Sequence, residues 1–197
     1  DQTTKKILQS FPKGQVQQSA YIGPQVGKTL LTNGVLAIIV SLLATIIYIA
    51  LRFELRFAVS SAIALIHDPV LILGIFSALH LEFNLIVLAA VLTVIGYSLN
   101  DTIVVYDRVR ENFQKIRKRT PSEIMDLSIN QTLSRTIMTS GLTLLVVLVL
   151  YFFGGETIHN FSLALIIGII IGTYSSIYVA GSLAIGMGLT RESLVPT

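Results

Sequence analysis

The chain has 197 residues, a mean hydropathy of +0.76, 53% hydrophobic residues and only 13% charged ones, against roughly 25% charged in soluble domains. That composition excludes an ordinary water-soluble globule, and the absence of cysteine excludes a disulfide framework or a thiolate metal site. The net charge of +3 is small and gains meaning only when mapped onto loops.

In chain order, residues 1–32 are polar and punctuated by Pro12, Gly14, Gly23, Pro24 and Gly27. TTKKILQSF reads as a short helix, and QVQQSAYIG alternates as a strand does. The piece is too small to fold alone and is expected to be the C-terminal remnant of an α+β domain outside the membrane. Residue 1 is Asp, with neither an initiator Met nor a signal peptide before it, so a longer parent protein is expected.

Five apolar runs follow, at 33–51, 57–79, 85–106, 128–153 and 161–187, each about the 20 residues a membrane crossing needs. The expected fold class is an all-α integral membrane helical bundle over 33–190, with a short tail at 191–197. LRFELRF, carrying Arg52 and Arg56, is a tight connection, as are HLEFN and GGETIHN. His80 and His159 are expected to be solvated there. The connection at 107–127 is long and carries Arg108, Arg110, Lys115, Arg117, Lys118 and Arg119. If the spans alternate, these cations, Arg52, Arg56 and Arg191 share one side, which the positive-inside rule assigns to the cytoplasm. The N-terminal piece then lies outside, despite Lys5, Lys6, Lys13 and Lys28. Because topology already explains the basic run, it implies no nucleic-acid partner.

Within that loop, DRVRENFQKIRK should prolong the third span as a solvated helix. Thr120-Pro121-Ser122-Glu123 has the form of a capping box with proline in the first helical position, so a new helix is expected there. In the last span Gly168, Gly172, Ser176, Ala180, Ala184 and Gly188 recur every fourth residue. Small residues so spaced let a neighbouring helix approach closely, and packing is the expected role.

The ionisable residues inside apolar runs carry the chemistry. Asp101 lies in the third run, and Arg135, the one arginine in any long hydrophobic segment, in the fourth. Such groups cost several kcal/mol in hydrocarbon and mark ion paths or buried pairs. With Tyr106 and Ser128 as the cytoplasmic ends of their spans, Asp101 and Arg135 sit roughly 8 and 10 Å deep. They can share a layer if the helices face each other. Thr93, Tyr97, Asn100 and Asp101 fall near one face of their helix, and Ser128, Thr132, Arg135 and Thr139 near one face of the next. A proton switched on this acid and a static buried pair are both open readings. A secondary polar site is His67-Asp68, followed by Pro69, which frees a backbone carbonyl. No metal-ligand spacing, no GxSxG nucleophile motif and no phosphate loop is found, so no cofactor or hydrolytic activity is expected.

VIGYSLNDTIVVYDRVREN at 94–112 resembles the SecF family, the smaller subunits of bacterial SecD–SecF protein-export factors within the resistance–nodulation–division superfamily. YIGPQVGKTL, RFELR, ALIHD, QTLSRTIMTSGLTLL and FGG support the likeness in order along the chain. The resemblance implies six spans, of which five are present here, and an exported domain after the first. It implies that Asp101 and Arg135, with Asn100 beside the acid, conduct ions, and that SecD supplies a further acid. It also implies proton- or sodium-driven pulling of an unfolded preprotein through the SecY–SecE–SecG channel of the cytoplasmic (inner) membrane, with YajC and YidC as further candidate partners. A small-molecule or lipid efflux component of the same superfamily is the alternative, and a scaffold holding partners through a static pair is a third.

Overall fold

Backbone amides in hydrocarbon have no water to bond, so an apolar run of this length satisfies them internally as a helix. The computed structural model describes residues 24–189, and all its regular elements are helical. In chain order they are α1 (Pro24–Arg52), α2 (Leu55–Ala78), α3 (Leu85–Lys115), α4 (Pro121–Phe153), α5 (Glu156–Tyr174), a π-helical turn (Ser175–Val179) and α6 (Ala180–Gly186). Among the described residues, five helical segments are long and apolar enough to cross a membrane, the last running from α5 through α6. The expected helix and strand before residue 24 lie outside the described residues.

The boundaries have local causes. Asn84 caps α3 by accepting from the Ile86 and Val87 amides, both at 3.0 Å. Helix α3 then runs past the apolar stretch to Lys115, as the basic continuation requires. Thr120 and Glu123 form the expected reciprocal capping box at the start of α4, with Pro121 in the first turn. Two expectations need correction. Glu156 to Asn160 are not loop but the first turns of α5, because the Gly154–Gly155 pair alone makes the connection. His159 is consequently half-buried rather than solvated, its ring 4.1 Å from that of Tyr151. His80 is exposed as expected.

The side chains of residues 36–189 sort into two apolar cores with a polar band between them. One core gathers Phe57, Tyr106, Val109, Phe113, Ile124, Met125, Ala180 and Ala184. The Phe57 and Tyr106 ring centroids are 4.3 Å apart. The other core gathers Ile72, Phe76, Val87, Val91, Val94, Val147, Ala164 and Ile169. Along α2 the band falls at Asp68, along α3 at Ser98, Asp101 and Thr102, along α4 at Thr132, Thr136 and Ser140, and along the last span at Ser175 and Ser176, all buried. From Leu36 onward α1 keeps most of its apolar side chains exposed, Leu36, Ile39, Val40, Leu43 and Ile47 among them.

The end carrying the basic loop is tied by polar contacts. Arg52 pairs with Asp107 at 3.3 Å, and the Arg56 guanidinium donates to the Gly188 carbonyl. Asn112 donates to Ser128 at 2.8 Å and to Gln131 at 3.0 Å. These contacts bring Arg52 to the foot of α3, where loop 107–127 begins, and Arg56 to the end of the last span.

The candidate ion-handling site in the polar band

Helix α3 presents Asp101 inward because its buried positions Val94, Ser98, Asp101, Thr102 and Val105 recur at three- and four-residue steps. The side chain is 3% exposed, and its Oδ2 is buried and accepts no hydrogen bond among the described residues. An unsatisfied buried carboxylate oxygen is costly, so its presence in the band is a feature to be explained. Arg135 is close enough for its charge to act on Asp101, yet the residue is exposed. No ion pair joins the two among the described residues. Asn100, one position away, is also exposed.

The face of α4 that turns inward is Ser128, Thr132, Thr136 and Ser140, which differs from the expected set at its second half. From Thr132 a polar residue is available at both three and four positions on, and packing takes the four-residue step. Arg135 and Thr139 therefore sit at the flank. Tyr97 reaches across from α3 and donates to Ser140 at 3.1 Å. Ser140 in turn lies 2.8 Å from the Thr173 hydroxyl of α5. Three helices are thus stitched by hydroxyls, and Thr93 remains exposed.

The second acid is more completely engaged. Asp68 is fully buried. Its Oδ2 accepts from Ser98 at 2.6 Å and from Ser175 at 2.9 Å, and its Oδ1 lies 3.1 Å from His67 Nδ1. His67 and Asp68 leave the helix in different directions, but the half-buried imidazole folds back to meet the carboxylate. Ser98, Thr136, Ser140, Thr173 and Ser175 were not singled out in the sequence. A hydroxyl in an apolar helix was the available signal, and it does not say which carboxylate it serves.

Small residues admit the close approach of the last span to α3. A Cβ placed on Gly168 would overlap the Val94 side chain, and one on Gly172 would lie 3.1 Å from Ser98 Cβ and 3.7 Å from Asp68 Oδ2. The neighbour of Gly168 and Gly172 is therefore α3 of the same chain, with Asp68 of α2 beside Gly172. Further along, Ser176 is buried and donates to the Thr173 carbonyl at 3.1 Å. Ala180 is buried, and its carbonyl accepts from Tyr106 at 3.0 Å. The π-helical turn was not foreseen; SSIYV reads as ordinary helix, and the turn brings Ser175 to Asp68.

Comparison with known proteins agrees with this architecture. Residues 2–190 match the family described as "Protein export membrane protein SecD/SecF, C-terminal". The protein translocase subunit SecF of Vibrio alginolyticus is 53% identical over 182 residues, covering 92% of this chain and 58% of the relative. That of Haemophilus influenzae is 51% identical over 193 residues, covering 98% of this chain and 59% of the relative. The crystal structure of SecDF, a translocon-associated membrane protein from Thermus thermophilus, superposes with a TM-score of 0.88 at 44% identity, covering 94% of this chain and 26% of that one. The chain thus spans somewhat over half the length of these SecF relatives. On the strength of that match along nearly its whole length and of the shared membrane fold, the chain belongs to the SecD/SecF family of protein-export membrane proteins, in its SecF branch.

Proposed function

We propose that this chain is the membrane-embedded part of an energy-coupling subunit of protein export, in which Asp101 takes up and releases an ion and so drives late-stage translocation. The observation that carries the reading is the buried, hydrogen-bond-poor Oδ2 of Asp101 in the polar band, with Arg135 near it and no ion pair between the two among the described residues. A buried carboxylate oxygen that accepts no hydrogen bond can take up an ion, and a cationic group able to approach or withdraw can then displace it. Arginine keeps its charge throughout, so Arg135 would hold the carboxylate ionised and then let go. Asn100 would serve the same region from the exposed side of α3.

Arg135 faces out of this bundle, which suits a second helix set closing over it. SecD, named together with SecF in the matching family, is the partner proposed. The SecY–SecE–SecG channel, YajC, YidC and an unfolded preprotein follow as the wider assembly. The chain would sit in the bacterial cytoplasmic membrane with loop 107–127 and the C-terminus in the cytoplasm. The energy would come from proton or sodium flow, without a hydrolytic site of its own. The test is Asp101→Asn in the full subunit. It should abolish ion-dependent export while the complex still assembles, and unimpaired export in that variant would dismiss the proposal.

A further inference from the structure

We infer that Asp68, Ser98 and Ser175 form a second oxygen site, separate from Asp101, that takes a small monovalent cation of the sodium class. This extends the ion-coupling reading, although binding at the site does not require Asp101.

The charge balance points there first. Asp68 is fully buried between two apolar cores, and the one basic side chain within ion-pair distance of it, among the described residues, is His67, which is charged only when protonated. The two serine hydroxyls solvate the carboxylate without neutralising it. A buried charge is normally paired or bound to a metal ion.

The donor set fits a hard cation, which takes carboxylate, carbonyl and hydroxyl oxygens. Ser98 Oγ and Ser175 Oγ converge on a single carboxylate oxygen, at 2.6 and 2.9 Å, from two different elements. Ser175 has a second acceptor, the Gly172 carbonyl at 3.3 Å. Its proton can turn there and leave a lone pair facing the site. Gly172 carries no side chain, so the backbone of α5 comes close to Asp68 and Ser98.

The backbone is also broken on two sides of the cluster. Pro69, directly after Asp68 inside α2, cannot donate to the Leu65 carbonyl one turn earlier. The π-helical turn begins at Ser175 itself, where the Ala180 amide bonds to the Ser175 carbonyl in place of the usual four-residue ladder. Such turns inside α-helices are rare and frequent at functional sites. At membrane depth, irregular backbone is tolerated where it is buried in protein or lines a cavity, and freed carbonyls there coordinate cations.

The test uses the full-length subunit in its purified complex, with thermal unfolding followed as sodium chloride replaces choline chloride at constant ionic strength. Sodium, and lithium in its place, should raise the unfolding temperature in a saturable way. Ser175→Ala and Ser98→Ala should each weaken the apparent affinity about tenfold or more, the scale of losing one supporting group at a metal site. Asp68→Asn should remove the response. Asp101→Asn should keep it, so loss of export in that variant and loss of sodium binding are separately readable. Should Asp68→Asn fail to assemble, Ser175→Ala, which removes one oxygen, decides. A wild-type response equal for sodium and choline would overturn the inference. So would a sodium response untouched by Ser175→Ala, or one abolished by Asp101→Asn. Each of those outcomes would leave the cluster as a hydroxyl pin between helices.

Discussion

The contact between Gly168 and Val94 yields the sharpest packing prediction. Gly168→Ala adds one carbon where the Val94 side chain already stands. Ordinary carbon contacts lie at about 3.5–4.0 Å, so α5 or α3 must move by roughly an ångström. Val94 is fully buried and β-branched, so it has no free rotamer into which to swing. Overpacking of this kind costs about 1–3 kcal/mol. Val94→Ala alone removes buried carbon and destabilises too, but it vacates the volume that the new methyl needs. In the double variant the two costs should cancel in part, with a coupling of about 0.5–3 kcal/mol in favour of the pair. Thermal unfolding of wild type, both single variants and the double variant in detergent or nanodiscs closes the cycle. Wild-type stability in Gly168→Ala, or additive losses in the double variant, would refute the claim that α5 and α3 meet backbone-to-side-chain there.

Three further outcomes follow from contacts elsewhere. Tyr106→Phe keeps the ring against Phe57 but removes the hydroxyl that donates to the Ala180 carbonyl and meets Ser60 at 2.7 Å; an orphaned buried acceptor should lower unfolding stability by about 1–3 kcal/mol. Asn84→Ala removes the cap of α3 and should cost about 1 kcal/mol, seen as faster hydrogen exchange at the Ile86 and Val87 amides with the rest of α3 unchanged. Arg52→Ala breaks a pair whose side chains are 47% and 60% exposed, so solvent screening should hold the loss below about 1 kcal/mol in thermal unfolding.

How much of this was legible depended on the range of the signal. The spans were readable because a run of about 20 apolar residues has one stable backbone solution in lipid. The basic continuation of α3 and the start of α4 were readable because caps act within four residues of themselves. The facing of α4 was only half readable. Thr132, Arg135, Thr136 and Thr139 offer polar residues at every helical step, and only packing against α3 and α5 selects Thr136 and Ser140. At Asp68 the acid was readable but its partners were not, since Ser98 and Ser175 lie 30 and 107 positions away and serine carries no mark of its partner. The π-helical turn was hidden for a related reason: its residues are ordinary helix formers in lipid, and the turn is a tertiary adjustment.

Direct measurement of ion flux bears most closely on the central claim. Proteoliposomes holding the full-length subunit in its complex, with an imposed proton or sodium gradient and a trapped indicator, report flux in the absence of any preprotein assay. Wild type should conduct, Asp101→Asn should fall to the level of empty vesicles, and Arg135→Ala should be impaired with assembly intact. Flux in Asp101→Asn equal to that of wild type would contradict the account.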